Sequence, residues 1–324
     1  MENSNEEVEQ NRLKFFPIMM FAIVMGLAGL TIVYQKAHEF FGLSKAIGSS
    51  LVMFVSAVFG IISLIYIIKL LVYPKAVQKE FAHPVRINFF AASAISFLLV
   101  AIVYHPVNHM VSYYCFLIGT VMQTFFTFYT ISFWVNRNLE LNHSNPAWFI
   151  PIVGNVLVPV AGVGFVDNHI LMYYFSIGMF FWVILTAILI NRIIFHHQLA
   201  GKFMPTLFIF IAPPAVGFIS YVKMNGGDFD IFASFLYNLA LFFTFLLFFM
   251  YKNFMGLKFF ISWWAFTFPL TAVTIASMLA FKVTKVVMYK YFAMFFMALA
   301  TLVILFVAIV TIQNMIQGKV CIQE

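Results

Sequence analysis

The sequence predicts an all-α integral membrane protein whose ten transmembrane helices form five parallel-repeat hairpins around a central pore. Three observations lead to this fold class. Ten apolar runs are long enough to cross a bilayer, the connections between them are short, and the prolines keep to alternate runs.

Composition sets the class first. Of 324 residues, 64% are hydrophobic and only 9% charged, where a soluble domain carries about 25% charged residues. Mean hydropathy is +1.00, and a surface bearing a share of 44 Phe and 18 Met would aggregate in water. The formal charge of +7 therefore concerns topology and anionic lipid headgroups, with no nucleic-acid partner expected. Two cysteines, Cys115 and Cys321, form no disulfide framework or metal-ligand spacing. The opening "MENSNEEVEQNRLK" is mostly acidic and lacks the basic start of a signal peptide, so the first apolar run is read as retained.

A helix needs roughly 20 apolar residues to span about 30 Å of hydrocarbon. Ten runs qualify, near 15–34, 46–72, 85–104, 110–133, 147–166, 169–192, 205–222, 229–251, 259–280 and 287–313. Links such as "HPVNH" (105–109) and "DN" (167–168) make neighbours antiparallel. No Gly/Ser-rich linker divides the chain, which reads as a tail (1–14), one membrane domain (15–313) and a second tail (314–324). Of the 18 Lys and Arg residues, only Lys36, Lys45, Lys223, Lys282, Lys285 and Lys290 fall on the side away from the termini. The excess on the other side places both termini in the cytoplasm of a cell (plasma or inner) membrane protein.

None of the eleven prolines lies in an even-numbered run. Runs 1, 3, 5 and 7 have one at or near the start, at Pro17, Pro84, Pro151 and Pro205, where a missing N–H costs little. Eight or nine residues on, a second weak point follows: Gly26, Ser93, Pro159, the pair Pro213 and Pro214, and, in run 9, Pro269. Membrane helices tolerate Gly and Pro generally, but that does not explain why five runs have none of the prolines. Irregular backbone at membrane depth survives where protein or a water-filled cavity surrounds it. The odd helices are thus expected inside, around an axis normal to the membrane, with the even helices facing lipid.

All eleven acids lie in tails or connections. A proton-coupled carrier usually places Asp, Glu or His within the membrane, and cation channels use acidic rings; the absence of both is permissive for anions. Thr267, Thr271 and Thr274 share one face of run 9. Their hydroxyls either donate to an anion or bond back to carbonyls freed near Pro269. Arg86 begins run 3, where its charge either concentrates anions at the cytoplasmic mouth or anchors to headgroups. His105, His109 and the pair His196–His197 have no Cys, Asp or Glu at ligand spacing, so no metal site is expected. The runs hold no convergent titratable set, and no enzyme or cofactor is expected.

Four stretches, "FAIVMGLAGL" (21–30), "HPVRINFF" (83–90), "NPAWFIPIVGN" (145–155) and "WWAFTFPLT" (263–271), occur in the order found in a known family. The chain resembles, over nearly its whole length, the tellurite-resistance/dicarboxylate transporter family, which includes bacterial TehA proteins and plant guard-cell slow anion channels. The resemblance implies five hairpins around a pore, a homotrimer with one pore per subunit, and passive anion conduction. It also implies an occluding phenylalanine in the ninth helix. Within "WAFTFP" this is Phe268 rather than Phe266, because the earlier aromatic interchanges with Tyr in relatives. Ala22 stands where relatives carry a glycine that makes room near the gate. The plant members' long tails serve phosphorylation control; tails this short offer no obvious kinase substrate.

The expected function is an anion-selective channel for chloride- and nitrate-class anions, lined by the odd helices and closed by Phe268. The alternative is a carrier of dicarboxylate, sulfite or tellurite-type oxyanions. No Lys or Arg is expected at mid-depth to pair with a dicarboxylate. A structural or lipid-binding membrane protein, the third reading, would conduct nothing. No arginine-repeat helix is present, so a conventional voltage sensor is not expected.

Overall fold

The computed structural model describes residues 12–196 and 198–322. The acidic tail up to Asn11, His197 and the terminal Glu324 lie outside the described residues. Those described are helical throughout, without a β-sheet. The principal helices are α1 (Ile18–Phe41), α2 (Lys45–Val72), α3 (Arg86–Tyr104), α4 (His109–Val135), α5 (Pro146–Gly162), α6 (Asn168–Phe195), α7 (Gly201–Met224), α8 (Ile231–Phe249), α9 (Ile261–Thr284) and α10 (Val287–Ile316). Nine of these are long and apolar enough to cross a membrane; α5, at 17 residues, is shorter than expected. Two 3₁₀ stretches, Pro146–Trp148 and Gly154–Val156, lengthen it, so that it reaches about 28 Å.

Burial separates the helices into two sets. In the apolar windows of α1, α3, α7 and α9, 72–89% of residues are buried, and in the even-numbered helices 22–44%. Every residue of α5 is buried. Each odd helix packs against the even helix that follows it, which gives five hairpins. The inner helices then touch in chain order, α1 on α3, α3 on α5, α5 on α7, α7 on α9 and α9 back on α1, closing a ring. Each even helix also contacts the next inner helix, so the outer set fills the grooves of the inner one. A Cβ built at Gly318 would lie 2.9 Å from the Arg12 guanidinium, so the two ends of the chain meet on one face.

The prolines play a different part from the one expected. Every inner helix starts on the face of the termini with 3₁₀ turns and becomes α-helical further in. The last α portions begin at Phe21, Ala91, Leu157, Ala212 and Thr267, α5 having a shorter one before it at Phe149–Val153. Ser93, Pro159, Pro214 and Pro269 each occupy the third position of such a portion. Pro269 therefore does not interrupt a continuous α-helix; it sits in a first turn, where its missing N–H leaves no bond unmade. Gly26 is the sixth residue of its α portion and does not share this register. Pro205 lies inside α7 rather than at its start, because 3₁₀ turns extend that helix back to Gly201; Pro151 is near the start of α5, as expected.

The broken backbone of α5 is satisfied from α4. Gln123 Nε2 and Thr127 Oγ1 both donate to the Pro151 carbonyl at 2.8 Å. Asn155 Nδ2 donates to the Ile152 carbonyl and to Thr127 Oγ1. A membrane core supplies no water for such groups, which explains polar side chains on an otherwise apolar outer helix.

A buried ion pair that loop composition did not suggest braces the start of α1. Lys69, near the end of α2, meets Glu80 at 2.6 Å, with side chains 3% and 4% exposed. Glu80 lies on a short helix, Pro74–Phe81, and also accepts the Ile18 N–H at 2.8 Å and the Tyr66 hydroxyl at 3.1 Å. Lys69 Nζ reaches the Phe16 carbonyl at 2.7 Å. Lys69 is thus committed to holding the first helix rather than to headgroups.

Candidate functional site

The ring encloses a cavity of about 80 Å³ to which all five inner helices contribute. Its wall follows steps of three residues: Met19, Ala22 and Met25 on α1, Phe89, Ala92 and Ile95 on α3, and Thr206, Ile209 and Ala212 on α7. On α7 the stripe runs along the 3₁₀ stretch Gly201–Ile211, where residues i and i+3 eclipse; on α1 and α3 it crosses from the 3₁₀ turn into the α portion, where i and i+3 still share a face. No acid or base is among the lining residues. Its two hydroxyls are already committed, Thr206 to the Phe203 carbonyl and Ser262 to the Lys202 carbonyl.

Of the residues singled out in the sequence, Ala22, Pro213, Phe268 and Pro269 line this cavity together. Gly26, Ser93, Pro159, Pro214 and Thr271 do not. Ser93 Oγ donates to the Phe90 carbonyl at 2.6 Å, and Pro159 and Pro214 are buried in the packing between helices. Thr267 and Thr271 bond back to the carbonyls of Trp264 and Phe268 and face α1. Gly26 and Gly29 make room for them there: a Cβ at either would come within 2.2 Å of a threonine Oγ1. The hydroxyl face of α9 is a helix–helix seam, not a cavity wall.

Phe268 and Phe266 differ in their surroundings. Phe266 packs edge-on against Phe208, Phe254 and Trp263, an arrangement worth about 0.5–1.5 kcal/mol per pair beyond area. Phe268 has no ring partner among the described residues and borders the cavity, with Gly29 behind it. A packed cluster holds one ring; the cavity leaves space beside the other.

The seam can be tested directly. Gly29→Ala is expected to lower unfolding stability in detergent by roughly 1–3 kcal/mol through overpacking. Adding Thr271→Ala should restore most of that loss. Equal losses in the single and double variants would show that the threonine is not the obstruction.

On the face of the termini, Arg86 begins α3 and Lys202 lies in the first turn of α7. His83 Nδ1 accepts the backbone N–H groups of Val85 and Arg86 at 3.1 and 3.3 Å, capping the start of α3. Burial, then the charges of Arg86, His143 and Lys202, hold the His83 imidazole below the usual histidine range. Four basic groups from three segments therefore lie near one another on this face. The composition of "HPVR" signalled only the arginine; the convergence with His143 and Lys202 needed the fold.

Comparison with known proteins gives a consistent picture. The sequence profile of a family described as voltage-dependent anion channel matches residues 15–312. The S-type anion channel SLAH2 of Arabidopsis thaliana is 29% identical over 273 residues, covering 81% of this chain and 52% of its own length. The chain spans about half the length of this plant channel and of the S-type anion channel SLAH3 of the same organism. An uncharacterized transporter of Methanocaldococcus jannaschii is 27% identical over 325 residues, 91% of this chain and 95% of its own. A tellurite resistance protein TehA homolog of Haemophilus influenzae is 29% identical over 276 residues, 83% of each.

Proposed function

This chain belongs to the voltage-dependent anion channel family, and from that premise we propose that it conducts small anions of the chloride and nitrate class passively through the inner ring, with Phe268 as the closing element. The observation that supports this most is the closed ring of five inner helices around an apolar cavity that Phe268 borders. An apolar ring in a narrow conduit stops hydrated ions by steric closure and dewetting.

Charge selectivity has a separate basis. One antiparallel outer helix separates successive inner helices, so all five inner helices point their N-termini at one mouth. Each N-terminus carries about half a positive charge, and Arg86 and Lys202 add to it. No carboxylate lines the cavity to hold a cation. In this reading residues 15–313 form the conducting unit, α5 is a tenth span, and the tails 1–14 and 314–324 lie in the cytoplasm of a cell membrane protein. The assembly is a homotrimer with one pore per subunit, surrounded by lipid at the exposed even helices.

Planar-bilayer recordings of the reconstituted protein in chloride, nitrate, sulfate and malate test this. Unitary steps with anion-selective reversal potentials support the channel. Slow flux that saturates without unitary steps assigns a carrier of the dicarboxylate or oxyanion kind, and no flux of any anion leaves a structural role.

A further inference from the structure

The same parallel arrangement that helps an anion at one mouth opposes it at the other. Five inner helices end their carbonyl rows at the mouth remote from the termini, each worth about half a negative charge. An anion passing there needs compensating cations, and the structure brings several together. Lys223, in the last turn of α7, donates Nζ to the Val160 carbonyl at 3.0 Å, two residues before the end of α5. One ammonium thus neutralises a helix end and keeps two N–H groups for another acceptor. Among the described residues no carboxylate lies within ion-pair distance of it.

The neighbours of Lys223 come from three other segments. His105 directly follows α3 and His109 begins α4; their rings are 6.1 Å apart, and both stand edge-on to Phe165 in the turn after α5. Lys36, near the end of α1, shares its charge with Glu39 at 2.9 Å. Burial, then the charges of Lys223, His109 and Lys36, press the His105 imidazole below the usual histidine range. Two lysines and a second imidazole therefore surround one ring, and His105, His109 and Lys223 are exposed to solvent. Glu39 is the one acid acting on Lys223.

We propose that Lys223, with Lys36 and His105, forms an anion-binding site at the mouth remote from the termini, where the conducted anion is held beside the carbonyl ends of the inner helices. This rests on the conduction reading above. It gives a purpose to lysines that sit against the cytoplasmic charge excess.

Nitrate conductance of the reconstituted full chain tests it, with nitrate entering from the remote side. At ionic strength below roughly 0.1 M, where exposed charges act over about 10 Å, Lys223→Gln should lower unitary conductance roughly threefold. The difference should vanish at high salt, and Lys223→Arg should retain wild-type behaviour. Wild-type conductance and salt dependence in Lys223→Gln would overturn the proposal. If the wild type conducts no anion, the functional reading fails instead. Should Lys223→Gln not assemble, acidification of the remote side decides. Burial and the neighbouring lysines hold His105 below the usual histidine range, so it gains its proton only as the remote side is acidified; lowering remote-side pH should raise wild-type conductance and leave His105→Gln unchanged. No response in the wild type would then overturn the site.

Discussion

Phe268→Ala is expected to raise anion conductance by about tenfold to a hundredfold in reconstituted membranes. Seating an aromatic ring against apolar surface contributes about 1.5–3 kcal/mol, and loss of that much from a closed state shifts its balance with an open one by such factors. Selectivity for anions over cations should persist, because the charged groups stand at the mouths and not in the cavity. Phe266→Ala provides the contrast. Its ring is held by Phe208, Phe254 and Trp263, so its removal should reduce stability and leave single-channel current near that of wild type. Unchanged current from normally assembled Phe268→Ala protein would remove the ring from the gating role.

The second large effect concerns stability. Glu80→Ala should cost about 3–5 kcal/mol, because it leaves the Lys69 ammonium buried without its counter-charge. It also strips the Ile18 N–H of its acceptor, and an unmade buried hydrogen bond costs about 1–3 kcal/mol on its own. Lys69→Met/Glu80→Leu should lose less than Glu80→Ala, since no buried charge remains. Unfolding midpoints in detergent would show this order. A double variant less stable than Glu80→Ala would contradict the account. Because Ile18 precedes the cavity residue Met19 by one position, Glu80→Ala should also make unitary currents more variable.

Much of this architecture was legible because proline is informative in lipid. Eleven prolines placed only in odd runs or connections separate buried from exposed helices, and burial follows that division. The register within those helices was not legible. Over a few residues a period of 3.0 cannot be told from 3.6, so Pro269 reads as a mid-helix break although it sits in the first turn of an α portion. Thr271 was misplaced toward the conduit for a related reason. Its helical face was clear, but what faced it was not, although Gly26 and Gly29, three apart, carry the small-residue pattern of close helix contact. Lys69 and Glu80 read as ordinary charges at a membrane boundary; only the fold back of Pro74–Phe81 buries them together. The site was legible to the extent that Ala22, Pro213, Phe268 and Pro269 were expected together and do share one cavity wall.

The seam between α1 and α9 has a consequence for biogenesis. A ring assembled in chain order closes only when its last inner helix reaches its first, and Gly26 and Thr267 lie more than two hundred positions apart. Chains emerge and insert from the N-terminus onward, so four hairpins wait in the bilayer as an open arc. The helix that completes the barrier is also the one that carries Phe268. A chain halted before residue 261 leaves the ring open, with the Gly26 and Gly29 face of α1 uncovered. The ring thus closes its perimeter only with the insertion of α9.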